Sequence, residues 1–593
     1  MNKLFRESEF KYGYLLIIFI TYLLFVSSIS GCAKEEAVEV ELPERGAASE
    51  YLEEHLKSFP RGIEQVTEGV YSAVGYALAN VIFIETQEGL IVVDTTESVE
   101  AAEEIMADFS VISDSPVRAI IYTHAHPDHV YGSPVFAEYA TEKFDVYAPE
   151  EHYDFYGEQV LLRDILSLRG IRQFGSLLPE EYVICHGIGP FLKFDHETHT
   201  GYVAPTVLFK DELELEIGGV KLILKHAPGE TDDQIMVWLP DKGVLLPGDN
   251  YYNAFPNLYT IRGSSPRDIP GWIASLDKMR ALRPDYLVPQ HGQPVTGADR
   301  IYELLTVYRD AIQYVHDAVV RGANMGKSPD DLVAEIKLPP HLLEYDELKE
   351  FYGKISFSVR SIYESYLGWF DGNAVNLEPL HPRERAQKTI TLAGGVDKVT
   401  ETAIKALEEG EYQWAAELAQ MIIYVEDGAE DESDSKGREI MIEALMNLGE
   451  ETYNSNARHY YFSAAMELAG QISPPAASKV DKESAYAIPL EEIFRAMSAA
   501  LDPEAAADVE KSTRFNITDT GEIYTVIVRR GVAEIHRGEY EGADLVVNVE
   551  ENTWKELAVD ALNPAVAIAS GKLSVEGLRL IALNNFMDLF EGP

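Results

Sequence analysis

Thr123-His124-Ala125-His126-Pro127-Asp128-His129, preceded by Ala119-Ile120-Ile121-Tyr122, is the stretch on which the reading of this chain turns. The apolar run reads as a buried strand feeding a tight loop. An extended chain throws alternate side chains to one side, so His124 and His126 converge on one point. Pro127 then turns the backbone and re-aims Asp128 and His129 toward a second point close by. Imidazole and carboxylate are donors for borderline divalent cations such as zinc, and the thiolates of a closed structural site are missing. With 15 histidines in 593 residues, three packed beside an aspartate are not a chance run of loop polars. The stretch is a metal site.

A pair of cations needs further ligands, and three downstream loops offer them. Ala227-Pro228-Gly229-Glu230-Thr231 follows a strand over Leu222 to Leu224. Leu246-Pro247-Gly248-Asp249-Asn250 follows another over Gly243 to Leu246. Leu287-Val288-Pro289-Gln290-His291-Gly292 is a strand that ends in histidine. Each sets one potential ligand at a strand end beside a glycine that lets the backbone turn. Upstream, Val81 to Ile84 and Leu90 to Val93 are strands joined through Gln87-Glu88-Gly89, a hairpin signal. Asp94 follows the second strand, and Ser98 is placed to cap a helix reaching Phe109. Leu213 to Ile217, Val220 to Leu224 and Ile235 to Leu239 are further strands, the first two joined at Gly218-Gly219.

Beyond Asp299 the period becomes helical, with Leu305, Tyr308, Ile312 and Val315 on one face. Thr400 to Val425 and Ile440 to Leu468 read as antiparallel helix pairs around a charged loop, Glu426 to Lys436. After Ile472-Ser473-Pro474-Pro475 a helix over Leu490 to Leu501 precedes strands at Arg514 to Thr518, Ile523 to Arg529, Val532 to Arg537 and Ala543 to Val549. Together with the helix Trp554 to Leu562 they make a small α+β domain.

The chain carries 49 basic against 99 acidic residues. That balance excludes nucleic acid as a partner, since phosphate contacts need a cationic face, and disfavours attraction to anionic headgroups. Its physical use is solubility. An anionic substrate must therefore be drawn by local charge against the global field. At the N-terminus Lys3, Arg6 and Lys11 precede an apolar core, Leu15 to Val26, which ends in Ile29-Ser30-Gly31-Cys32. Small residues directly before a cysteine resemble the lipobox of bacterial lipoproteins. This predicts export to the periplasm or cell surface and membrane attachment through a lipidated Cys32. The other reading is a cleaved signal or uncleaved anchor. Ala33 to Arg45 reads as a solvated tether.

The motifs and their order resemble the metallo-β-lactamase superfamily and, within it, the alkylsulfatases. The narrower likeness rests on Pro228-Gly229-Glu230-Thr231, on the run from Gly248-Asp249-Asn250 through Pro256-Asn257-Leu258-Tyr259-Thr260-Ile261-Arg262-Gly263, on Tyr366-Leu367-Gly368-Trp369-Phe370-Asp371-Gly372-Asn373 and on Asn456-Ala457-Arg458-His459-Tyr460-Tyr461. The resemblance implies a multidomain chain: signal segment 1–32, tether 33–60, an αββα metallo-β-lactamase sandwich over 61–300, an all-α dimerisation domain over 301–472, and a sterol-carrier-protein-like α+β domain over 473–593. It implies two zinc ions, or another divalent metal, with His124, His126 and Glu230 on one and Asp128, His129 and His291 on the other. Asp249 and a water would bridge them, the aspartate standing where better-known bacterial members carry glutamate.

Asn257 and Arg262 correspond to positions that contact sulfate. The family's general-acid histidine falls at Arg267, and a second sulfate-facing histidine at Phe357, with Arg360 a candidate to compensate. The implied activity of this homodimer is hydrolysis of dodecyl-sulfate-like alkyl sulfates to alcohol and inorganic sulfate by a hydroxide bridging the metals, with Asp128, Asn257, Arg262 and Arg267 around the reaction. The rival readings are another two-metal hydrolase (lactamase, lactonase or phosphodiesterase) and a non-catalytic lipid-binding lipoprotein.

Overall fold

The computed structural model describes residues 40, 42–153, 161–192, 198–426, 435–475, 482–559, 561–578 and 580–590. The leader, Cys32 and nearly all of the charged loop after Glu426 lie outside the described residues. The expectation of a tether as far as residue 60 needs correction. Helix α1 (Ala47–Leu56) occupies that range and buries Ser49, Leu52 and His55. The sequence AASEYLEEHL places those three at helical spacing, so one face has an apolar and hydrogen-bonding surface to bury. His55 stacks on Phe351 with ring centroids 3.6 Å apart and donates from Nε2 to the Gly187 carbonyl at 2.8 Å.

Two sheets face each other. The first runs in sequence order through β1 (Gly62–Thr67), β2 (Val70–Val74), β3 (Val81–Thr86), β4 (Gly89–Val93), β5 (Val117–Ile121), β6 (Ala140–Pro149) and β7 (Val207–Phe209). Its strands are antiparallel up to β4 and parallel from β4 to β7. The second holds β8 (Glu212–Ile217), β9 (Val220–His226), β10 (Ile235–Leu239), β11 (Val244–Leu246), β12 (Tyr286–Leu287) and β13 (Val295–Thr296), again in order. Every residue of β4 is buried, which is why Gly-Leu-Ile-Val-Val shows no polar alternation. Ile82, Ile84, Ile91 and Val93 meet Leu222, Leu224, Ile235 and Val237 between the sheets.

Helices close both outer faces. Helix α2 (Val99–Phe109), capped by Ser98 accepting from the Ala101 N–H, shares an apolar core with Val135 and Phe136 and the first sheet. On the second sheet lie α6 (Ile269–Ala281), α7 (Ala298–Asn324) and α8 (Ile355–Leu367), whose Trp272, Leu276, Leu305, Tyr308, Ile312, Val359 and Ile362 form one cluster with Met236 and Leu245. The αββα sandwich expected from the sequence is therefore present. Its outer layer includes α7 and α8, so the packing boundary falls later than residue 300. An amphipathic helix is assigned to a domain by what covers its face, which periodicity alone does not reveal.

The middle of the chain stacks antiparallel helices. Ala403, Ala415, Ala419 and Ala444 sit at their contacts with Ile390, Ile422 and Ile440, and the small side chains let the backbones approach closely. The last of these, Ser455–Leu468, returns to the sandwich. The C-terminal unit is a five-stranded sheet in the order β16-β15-β14-β17-β18, built from Val532–Arg537, Ile523–Arg529, Glu510–Ile517, Leu545–Val549 and Leu573–Val575. Phe494, Phe515, Tyr524 and Trp554 stack within its core.

Two buried histidines at the α1 docking site make stability depend on acid. Burial pushes both His55 and His186 down to about 4 from an ordinary 6.5. Between those values the unfolded chain takes up protons that the folded chain refuses. The stabilisation is therefore complete above about 6.5 and is lost as pH falls toward 4, by roughly 3 kcal/mol per histidine at the limit. Thermal melts from pH 7.5 to 4.5 should show Tm falling steeply below 6.5. His55→Gln should flatten that slope; an equally steep fall in the variant would exclude this origin.

Candidate metal centre

The centre is assembled from strand ends. Strand β5, buried but for Arg118, delivers His124 and His126 from the extended residues beyond it, while Pro127 opens a single helical turn, α3 (Pro127–Val130), that carries Asp128 and His129. Glu230 comes from the loop after β9. There Gly229 is needed because a Cβ would lie 1.9 Å from Asn250 Oδ1. Asp249 sits in the turn after β11, behind Gly248, whose φ is +61°. His291 follows β12. All seven expected ligands are brought together: His124, His129 and Asp249 form one cluster of facing donor atoms, Asp128, His129 and His291 a second, and His126, Glu230 and Asp249 a third. Asp249 and His129 each belong to two of the three.

The distances are those of donors turned toward common points. His124 Nε2 and His126 Nδ1 are 2.7 Å apart, Asp249 Oδ2 is 3.1 Å from His291 Nε2, and Asp249 Oδ1 is 3.5 Å from His129 Nε2. Three of these atoms test whether a cation fits. His129 Nε2, Asp249 Oδ1 and Glu230 Oε2 are fully buried without a hydrogen-bond partner among the described residues. A buried polar atom left this way is costly unless something binds it. Nitrogen and oxygen donors without sulfur suit divalent metal ions held for chemistry rather than for structure.

The electrostatics agree. Burial lowers His124 well below the usual imidazole range, and the neighbouring His129 adds to it. For His129 burial acts downward too, but Asp249, Asp128 and Asp94 overcome it and raise it well above that range. Asp128, despite burial, is held at about 2 by His129 and His291. Burial pushes Glu230 up to about 7, with Arg267 opposing. Here the imidazoles of His129 and His291 supply positive charge to the carboxylates they face, a role that divalent cations would take over when bound.

Several supporting residues carry no motif. Asp94 accepts from the Thr123 N–H and hydroxyl at 2.8 and 2.7 Å, and from His129 Nδ1 at 2.9 Å. It does so from a strained backbone with φ 58°. The Leu78 carbonyl accepts from His291 Nδ1 at 2.8 Å, and the Leu78 N–H donates to the buried Glu97 carboxylate. A carboxylate at the end of a strand adjacent to the ligand-bearing strand is the one signal that marks Asp94. Asp94→Asn should keep the fold but weaken metal affinity about 10- to 100-fold, read by competition with a chromogenic chelator. Unchanged affinity would remove Asp94 from the support of the centre.

The anion-facing positions are also close. Arg262 Nη2 donates to His126 Nε2 at 3.1 Å, placing the guanidinium against the ligand cluster. The Asn257 N–H donates to Tyr252 Oη at 2.7 Å, while its side-chain Nδ2 is buried with no partner among the described residues. Arg267 pairs with Glu230 Oε1 at 2.8 Å and donates to the Asn257 carbonyl. Arg360 does not compensate for Phe357: it is half-exposed and pairs with Asp330 at 2.7 Å. Its place on the outer side of α8 turns it toward solvent.

A sandwich of this layering, with metal donors at the strand ends, defines the metallo-β-lactamase superfamily, and residues 75–291 match the family model of that description. Residues 328–471 match the alkyl sulfatase dimerisation family, and 478–593 the alkyl sulfatase C-terminal family. A linear primary-alkylsulfatase of Pseudomonas sp. is 38% identical over 526 residues, covering 86% of this chain and 98% of the relative. The alkyl/aryl-sulfatase BDS1 of Saccharomyces cerevisiae is 28% identical over 543 residues, covering 89% and 82% respectively. Among solved structures, the stereoselective inverting sec-alkylsulfatase Pisa1 from Pseudomonas sp. superposes with a TM-score of 0.84 at 26% identity, covering 93% of this chain and 88% of that one. The chain belongs to the alkylsulfatase family.

Proposed function

We propose that this protein hydrolyses alkyl sulfate esters to the alcohol and inorganic sulfate, using two zinc ions held by His124, His126, Asp128, His129, Glu230, Asp249 and His291. The observation that carries the reading is the guanidinium of Arg262 set 3.1 Å from a metal-facing histidine, together with a buried Asn257 Nδ2 that has no partner among the described residues. A sulfate monoester is anionic and resists attack by water. Two divalent cations, when bound, would lower the pKa of water toward neutrality and offset the ester's charge. The chain's own residues do the rest. The Arg262 fork suits a tetrahedral oxyanion, and Asn257 Nδ2 is a free donor for one of its oxygens. Arg267 ties Glu230 and the Asn257 carbonyl to one guanidinium, so ligand and anion donor keep a fixed separation. These cations act locally, against a chain whose net charge is −50.

Sulfate release from dodecyl sulfate by zinc-loaded protein tests the reading, with phosphate esters and a β-lactam as controls on the same preparation. Turnover of either control with none on a panel of alkyl sulfates would refute it. Metal analysis of protein purified without added metal tests zinc. We further propose a homodimer. Tyr366, Leu367, Trp369, Val375 and Leu377 are exposed in one stretch that lies within the dimerisation region, a surface that a second copy would cover. Light scattering after gel filtration distinguishes dimer from monomer. Export and anchoring through Cys32 rest on the leader sequence; fractionation of cells expressing Cys32→Ala should move the protein out of the membrane fraction. Among the described residues no helix is long and apolar enough to cross a membrane.

A further inference from the structure

Gln173 lies at the end of helix α5 (Arg163–Phe174), far in sequence from every metal-facing and anion-facing residue, and is completely buried. Its Oε1 accepts two hydrogen bonds, from the Thr260 hydroxyl at 2.9 Å and from the Arg262 N–H at 2.8 Å. A backbone N–H can only donate, so the amide orientation of Gln173 is fixed. Arg262 in turn donates from Nη1 to Thr260 Oγ1 at 2.8 Å. Thr260 therefore receives from the guanidinium and passes its own proton to Gln173. One acceptor atom thus holds both the backbone and, through Thr260, the side chain of Arg262.

We propose that Gln173 is a positioning residue for the anion-binding guanidinium of Arg262, and that it is set from the helical domain. The second half of the claim follows from how α5 is anchored. Arg172, its neighbour on the helix, makes a forked pair with Glu467 at 2.6 and 2.8 Å. Glu467 lies on the helix Ser455–Leu468 of the middle domain. The α5 terminus at Gly175, φ +65°, is pressed so closely on His459 of that same helix that a Cβ would come within 3.2 Å of the histidine side chain. Gln173 stands 89 residues before Arg262 in the chain, and the helix that carries it is packed on the middle domain through Arg172 and Gly175. The pair is a conduit by which a helix outside the sandwich fixes the reach of the arginine into it.

This inference rests on the sulfate-ester reading above, and its test separates the two. Gln173→Met keeps the volume and removes the acceptor; Thr260→Val keeps the shape and removes the relay hydroxyl; Gln173→Glu restores an acceptor. For metal-loaded protein, Gln173→Met should lower kcat/KM on dodecyl sulfate about 10- to 100-fold, the scale of leaving a buried donor unmet. It should weaken binding of inorganic sulfate, read by titration calorimetry, by a similar factor. Thr260→Val should do the same to a smaller degree, Gln173→Glu should recover most of the loss, and metal content should stay at the wild-type value. In an Arg262→Ala background Gln173→Met should change either readout less than twofold, because its effect runs through Arg262. Losses that multiply in that background, or that track loss of metal, overturn the proposal while leaving the sulfatase reading intact. A wild type that neither turns over dodecyl sulfate nor binds sulfate overturns both.

Discussion

Asp128→Ala should lower sulfate release by at least about 10⁴-fold and reduce the metal bound per chain, with the fold retained. Asp128 sits at the mouth of the cluster, and its carboxylate stays ionised, at about 2, because His129 and His291 outweigh its burial. It faces both: Asp128 Oδ2 lies 3.4 Å from His129 Nε2 and 3.6 Å from His291 Nε2. Removing it takes away the one carboxylate that this cluster does not share, leaving two imidazoles and an Asp249 that also faces the other donors, so the second cation would be held far more weakly. The fold has little stake in this side chain, for β5 is held by Ile120 and Ile121 inside the sandwich. Circular dichroism and a Tm close to wild type should therefore accompany the loss. Sulfate release that persists in a variant binding one metal would mean that the pair is not required.

How far the sequence foretold this centre depends on where each residue obtains its position. The seven ligands were legible in two ways: the packed run His124 to His129 and the strand-end loops that set Glu230, Asp249 and His291 beside a glycine made them candidates, and the resemblance to the alkylsulfatases joined them into one set. His124 and His126 converge because a strand alternates; Asp249 turns inward because Gly248 adopts a left-handed conformation. The sandwich was legible because β4 and β10 are unbroken apolar runs between turn signals. Asp94, Glu97 and Gln173 were not, because their roles arise from partners dozens of residues away: Asp94 from Thr123 and His129, Gln173 from Thr260 and Arg262. No local period encodes such a contact. Helix α1 was read as tether because the preceding acidic segment hides an amphipathic face whose partners, Phe351 and Gly187, come much later in the chain. Helix α7 was assigned to the wrong neighbour for the converse reason: its heptad-like face is clear, but two domains could have covered it.

Arg262→Ala should cost about 10²- to 10³-fold in kcat/KM for alkyl sulfates while leaving metal content unchanged. The guanidinium lies against the ligand cluster at His126, whereas Arg267 is paired with Glu230. Burial lowers the Arg262 guanidinium below its ordinary value, with Tyr352 opposing and Arg267 adding to the fall. An arginine under that pressure gains most when an anion arrives. The bound sulfate ester would supply the missing counter-charge, so the energy that the site withholds from the free arginine is returned on binding. Arg262→Lys should recover less than a tenth of the lost rate, because an ammonium reaches one sulfate oxygen where the fork reaches two, and Thr260 would lose the guanidinium donor it accepts from. A lysine variant with near wild-type kcat/KM would show that only net charge matters, and would remove the geometric role assigned here to the Arg262 fork.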